Sequence, residues 1–273
     1  MKKQKGRDAV RTRRRLLVGA GALAGVAVFA VVGRGCMSDH SAGEDIDTSE
    51  HQEPDGDGCR VPGELTRFDE VGGGALGYES DAVMTSMQAE PSFLRQLDDW
   101  AREWAKVSGL GPIKEMWSYG AFTDKCHSYH QLGRAFDIGR IVQEGGEVSC
   151  RLDLWAPGSP DQLRAYWRLA ASLHSRFAYT LTHLYDDAHL NHIHIDNSVN
   201  GNEATSFSPR SRVQVQFVQA SLQHVHGQSV AMTGEWDQQT QDALRAVQRS
   251  QGITQPLGER EGWQAYLRAT VAS

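Results

Sequence analysis

"HLNHIHID", residues 189–196, places three of the chain's 11 histidines within six positions. In an extended strand, successive side chains point to opposite faces. His192, His194 and Asp196 then share one face, and Ile193 and Ile195 share the other, the face suited to a core. His189 has the wrong parity and belongs in the turn before the strand. On its own the stretch is either a metal-binding edge or a row of solvated imidazoles.

A second stretch, "SYHQLGRAFDIG" at 128–139, supplies what the first lacks. His130 and Asp137 are seven residues apart, a spacing suited to a loop that turns into a strand. Gly133 permits the turn, and residues 134–138 form the strand, with Ala135 and Asp137 on one face and Phe136 and Ile138 on the other. Paired in one sheet, the two strands would present His130, Asp137 and a histidine of the second stretch to a single ion. Two neutral imidazoles, one carboxylate and an open fourth position make a catalytic zinc arrangement. His192 and His189 are then the candidates for moving protons. The bland alternative is a solvated histidine edge with Asp137 in a salt bridge. It fits either cluster alone better than it fits both together.

Around these strands the pattern is mixed. "SFLRQLDDWAREWAKVSG" (92–109) sets Phe93, Leu97, Trp100, Trp104 and Val107 at helical spacing, with Pro91 before it and Gly109 to end it. "IKEMWSYGAF" reads as a strand, residues 161–177 as a second helix, and "YTLTHLY" as another strand. This irregular mixture predicts an α+β fold, with a small antiparallel sheet and flanking helices holding the zinc site. After a polar linker (199–211), "VQFVQASLQHVHG", "WDQQTQDALRAVQRSQG" and "EGWQAYLRATV" predict a small three-helix C-terminal domain over 212–273.

The motif pair SxHxxGxAxD and HxxHxH resembles the zinc peptidases of the D-alanyl-D-alanine carboxypeptidase and murein endopeptidase group, and most closely the extensin-like C-terminal domains. The resemblance runs from about residue 81 to 197, inside an expected domain spanning 59–198. It implies Zn²⁺ held by His130, Asp137 and His194, with His192 and His189 beside it as acid, base or orienting groups, and Ser128 on the pocket side. Members with a glutamate base carry it three residues before the last histidine ligand, where this chain has Asn191. The strand that often brings a substrate-binding arginine reads "WSYGAF" and has none, which leaves Lys125 or Arg134 as substitutes. The C-terminal segment is similar to three-helix peptidoglycan-binding repeats, with Gln219, Gly234, Thr240 and Leu244 among the matching positions.

The N-terminus sets the compartment. Residues 1–36 hold nine of the 28 Lys and Arg and one of the 34 acids, leaving 19 basic against 33 acidic residues, a formal net of −14. A body this acidic repels phosphate backbones, which excludes nucleic acid as a partner. A basic start followed by the 18 uncharged residues Leu16–Gly33 predicts an export signal or membrane anchor over 1–36. "TRRRLL", with Arg13 and Arg14, resembles a twin-arginine signal, and an arginine-rich Sec signal is the alternative. Residues 37–58 are acidic and nearly free of apolar side chains, so they read as a flexible stalk.

Export permits disulfides. Of Cys36, Cys59, Cys126 and Cys150, the favoured pair is Cys126–Cys150. It would close a loop of about 25 residues and stabilise by roughly 3 kcal/mol. The absence of CxxC spacing argues against a zinc–thiolate site. The expected protein is thus a membrane-tethered, extracytoplasmic zinc peptidase acting on peptidoglycan stem peptides. The alternative is a non-catalytic peptidoglycan-binding or scaffolding protein with a structural or vestigial zinc site.

Overall fold

The computed structural model describes Cys59 and residues 61–273. The expected signal segment (1–36) and the expected stalk (37–58) lie outside these residues. Among the described residues, no helix is long and apolar enough to cross a membrane.

The chain opens with five short strands: β1 (Thr66–Phe68), β2 (Glu70–Val71), β3 (Gly74–Tyr78), β4 (Val83–Met84) and β5 (Met87–Ala89). Helix α1 (Pro91–Val107) follows, then β6 (Ile113–Gly120), β7 (Ala135–Gln143) and β8 (Gly146–Ser149). The short α2 (Leu152–Trp155) and the longer α3 (Pro160–His174) precede β9 (Tyr179–Leu181) and β10 (Ile193–Asp196). Helices α4 (Arg212–His224), α5 (Gln238–Ser250) and α6 (Arg260–Ala272) complete the chain.

The fold is mixed α/β with six helices, and the sheet is larger than the small antiparallel one expected. Eight strands form it, in the order β2-β3-β6-β7-β10-β9, with β4 added on β3 and β8 on β7. One central pairing, β3 with β6, is parallel. Its cause is the connection: parallel neighbours need a crossover of a dozen or more residues, and β4, β5 and α1 supply it. These N-terminal strands escape sequence reading because they are two to five residues long. Glycine is needed there for close approach. A Cβ on Gly77 would lie 2.5 Å from the Trp117 ring across the β3–β6 pairing.

Helix α1 begins with Pro91 at its first position, and the Glu90 carboxylate accepts from the Ser92 and Phe93 amides. Its stripe of Phe93, Leu97, Trp100 and Trp104 is buried, whereas Val107, expected in that stripe, is 45% exposed at the last turn. Burial of a side chain such as Phe93 or Leu97 contributes roughly 1.5–3 kcal/mol. The Trp100 indole donates to Ser172 Oγ at 3.1 Å and so ties α1 to α3. Helix α3 starts with a capping box between Ser159 and Gln162. The expected strand "YTLTHLY" ends at Leu181, because the Tyr185 amide turns back to the Thr182 carbonyl.

Helix α3 also packs against α4 and α6. Arg168 donates to the Val271 carbonyl at 2.7 Å and to the Ser108 carbonyl at 3.3 Å, capping the ends of α6 and α1 together. Trp167, His174, Phe217 and Trp263 share one buried aromatic cluster across these helices. In the turn before α5, Gln219 accepts from the Gly234 amide and donates to Thr240 Oγ1 and the Glu235 carbonyl.

The expected Cys126–Cys150 disulfide does not form. Cys126 pairs with Cys59, and Cys150 is a free, fully buried thiol. The reason is register. The β7–β8 hairpin pairs Ile141 with Val148, and the Cys150 amide then donates to the Gly139 carbonyl, so Cys150 joins the core instead of the loop bearing Cys126.

Candidate metal centre

The site forms where β7 and β10 pair, with His194 directly opposite Asp137. Ile193, Ile195, Phe136 and Ile138 are fully buried, as alternation predicts, and this burial fixes which face carries the polar groups. His130 comes from a 3₁₀ turn, Tyr129–Leu132, that precedes β7. Ser128 caps that turn, its hydroxyl accepting from the His130 amide at 3.2 Å. Gly133 ends the turn at φ 66°, where an added Cβ would meet Leu65 at 2.6 Å and the Glu90 amide nitrogen at 2.8 Å. Only glycine satisfies both constraints.

Three donor atoms converge. His130 Nε2 lies 3.2 Å from His194 Nδ1 and 3.2 Å from Asp137 Oδ2, and His194 Nδ1 lies 2.8 Å from Asp137 Oδ1. One ligand atom from each of the three residues lies within 4.8 Å of the others, a group that could hold a metal ion. The outer nitrogens are occupied. His130 Nδ1 is 2.5 Å from the Ala121 carbonyl, and His194 Nε2 is 3.1 Å from Asp196 Oδ2. A carbonyl or carboxylate oxygen only accepts, so those outer nitrogens carry protons, and a cation that replaced the proton shared between the inner nitrogens and Asp137 would meet a lone pair on each ring. This is the outer-shell pattern that fixes the tautomers of metal-binding histidines.

The electrostatics follow from this crowding. Burial opposes ionisation of Asp137, but hydrogen bonds from His130 and His194 and their charges hold its carboxyl well below the usual carboxylate range. Burial likewise opposes charge on His194, yet hydrogen bonds and charge from Asp137 and Asp196 push its pKa up to about 9. A cation at this point must therefore displace a proton from His194. Burial pushes His192 the other way, down to about 4, the Asp137 charge only partly offsetting it.

His192 and His189 flank the group. His192 Nε2 lies 3.6 Å from Asp137 Oδ1, and the His189 ring centre is 5.1 Å from that of His192 and 6.0 Å from that of His194. His189 ends a 3₁₀ turn, as its parity implied, with Nδ1 2.6 Å from Asp186 Oδ1. Arg134 is engaged elsewhere: it donates to Asn197 Oδ1 at 2.8 Å and to the Asn197 carbonyl at 3.3 Å, and lies over the Tyr129 ring. A cavity of about 350 Å³ opens by the end of β6, lined by Arg67, Tyr78, Asp81, Tyr119, Gly120 and Ala121.

Sequence reasoning missed Asp186 and the Ala121 carbonyl as outer partners, and Tyr119 beside His192. Asp196 was within reach, since it lies two residues from His194 on the same face. The others depend on loop paths that no periodicity reveals. No protein-family model, curated protein or solved structure matches the chain.

Proposed function

We propose that the protein is a zinc peptidase that hydrolyses amide bonds of peptidoglycan stem peptides outside the cytoplasm, tethered to the membrane by its N-terminal segment. One observation carries the reading: the inner nitrogens of two imidazoles and one carboxylate converge within 3.2 Å, the outer nitrogens of both rings are held by other acceptors, and two more histidines lie alongside. A His₂–carboxylate set suits zinc, whose neighbouring ligands in a tetrahedron are about 3.3 Å apart for bonds of about 2.0–2.1 Å. Zinc held by His130, Asp137 and His194 supplies Lewis acidity, lowering the pKa of water to about 7 and polarising a carbonyl.

The remaining tasks fall to the chain. His192 Nε2 faces the ligand group and takes a proton from the attacking water. His189, oriented by Asp186 on Nδ1 and next to His192, passes that proton on to the leaving amine. The cavity beside Tyr119 and Gly120 accommodates the peptide, with Arg67 offering a cation to a substrate carboxylate. The likeness of residues 212–273 to peptidoglycan-binding repeats adds local concentration without adding a catalytic contact.

The test is digestion of purified wall sacs by the full chain, with products identified by mass spectrometry. Zinc-dependent release of D-alanine or stem peptide supports the reading. Unchanged release after chelation or in His130→Ala overturns it. Binding to sacs without product, with zinc affecting only the melting temperature, favours the non-catalytic alternative, which Asn191 in place of a glutamate motivates.

A further inference from the structure

The two histidines beside the ligand group differ in their outer partners: His189 has a carboxylate, and His192 has the neutral amide of Asn191. Asn191 Oδ1 lies 2.6 Å from His192 Nδ1. Tyr119 lies next to that amide. Tyr119 is itself braced. Its ring centre lies 5.8 Å from the His192 ring and 5.7 Å from the Arg151 guanidinium. Arg151 forks onto Asp153 at 2.9 and 2.8 Å and pairs with Glu79 at 3.2 Å. A line of contacts thus runs from an ion-pair cluster through Tyr119 and Asn191 to His192.

We infer that Asn191 and Tyr119 are positioning residues that hold His192 as its Nδ1–H tautomer, with the Nε2 lone pair aimed at the metal position. This rests on the zinc peptidase reading for its consequence, though not for its geometry. An amide oxygen only accepts, so the proton at this contact belongs to Nδ1 and leaves Nε2 bare. Rotating the amide would present NH₂ to Nδ1 and move the ring proton to Nε2, where it would face the metal position and could accept nothing. The Tyr119 ring, its centre 5.8 Å from that of His192, packs beside the pair and restrains the imidazole. A cation at the ligand group selects the same tautomer from the other side, because it repels an N–H and attracts a lone pair. Asn191 therefore occupies the glutamate's position in the related motif without the glutamate's role: it orients a histidine that handles the proton.

The experiment is ring-nitrogen correlation NMR on the full chain with its histidines ¹⁵N-labelled, before and after addition of zinc, alongside turnover on wall sacs. The expected result is His192 protonated at Nδ1 in both states. Asn191→Leu should shift His192 toward the Nε2–H tautomer and lower kcat by about 10²-fold, with KM and zinc content unchanged. Asn191→Asp, which keeps the acceptor, should preserve both the tautomer and most of kcat. Tyr119→Ala, which removes the ring packed against His192, should give a mixture of tautomers. An Nε2–H tautomer in the unmodified chain, an unchanged tautomer in Asn191→Leu, or an Nε2 shift showing that His192 itself binds zinc would each overturn the inference. If the unmodified chain releases no product, the peptidase reading fails, while the tautomer measurements still decide the positioning role.

Discussion

His174 is the least satisfied polar residue in the molecule's core. It is fully buried, and neither ring nitrogen has a hydrogen-bond partner. Its neighbours are the rings of Phe217 at 4.5 Å and Trp263 at 6.0 Å. Burial pushes its pKa down from 6.5 to about 3. Above pH 6.5 the imidazole is neutral whether the chain is folded or unfolded, and it has no effect on the pH dependence. Between pH 6.5 and 3 the unfolded chain takes up a proton that the folded chain refuses. Stability therefore falls with acidification, by up to about 1.4 kcal/mol per pH unit. Urea unfolding of His174→Phe, measured from pH 7 to 4, should show a midpoint less sensitive to pH than the parent's. An unchanged slope would show that His174 does not govern acid sensitivity. Asp196 acts through His194 in a different way. Asp196→Leu should lower zinc affinity by about 10- to 100-fold, read by competition with a chelator, because the orienting acceptor is lost while His130, Asp137 and His194 remain. The facing of Asp137 and His194 was legible in the sequence, since alternation needs no more than a strand, although alternation puts His192 on that face as well. The outer partners were not, because Ala121 and Asp186 reach the site through turns.

Among the elements, the segment from Cys59 to β7 bears most directly on the site. The Cys59–Cys126 bond closes a separation of 67 residues and sits four positions before His130. The chain-entropy model assigns such a loop about 4 kcal/mol. Reduction should lower the denaturation midpoint and weaken zinc binding together, whereas Cys150→Ala should lower stability modestly and leave zinc binding intact. Alkylation of the denatured, unreduced chain followed by peptide mapping should label Cys150 and spare Cys126. The three C-terminal helices were readable from period and caps alone, as was α1 except for its last turn. Strands β1 to β5 were not, because elements of two to five residues carry too few positions to show a period.

Across the whole molecule, the C-terminal helices and the sheet domain are joined through α3. Phe217 and Trp263 pack with Trp167 and His174, and Arg164 donates to the Ser273 and Val225 carbonyls. A chain ending at residue 211 would expose that aromatic cluster, leave Arg164 without these acceptors and take the Val271 carbonyl from Arg168. It should be aggregation-prone, with a melting temperature well below that of the full chain, as read by light scattering and calorimetry. A stable, monomeric truncation would show that residues 59–211 fold on their own.

By itself the sequence determined the helices with clear amphipathic stripes, the facing of the two site strands, and the meeting of His130 and Asp137 with one histidine of the second strand, because these depend on local period and on spacing along the chain. Tertiary structure alone decided the Cys59–Cys126 pairing, the parallel β3–β6 contact, and the hydrogen-bond partners that fix each histidine's tautomer. These are contacts between loops and strands distant in sequence, and their geometry follows from the register of the sheet and the path of the crossover rather than from any residue pattern.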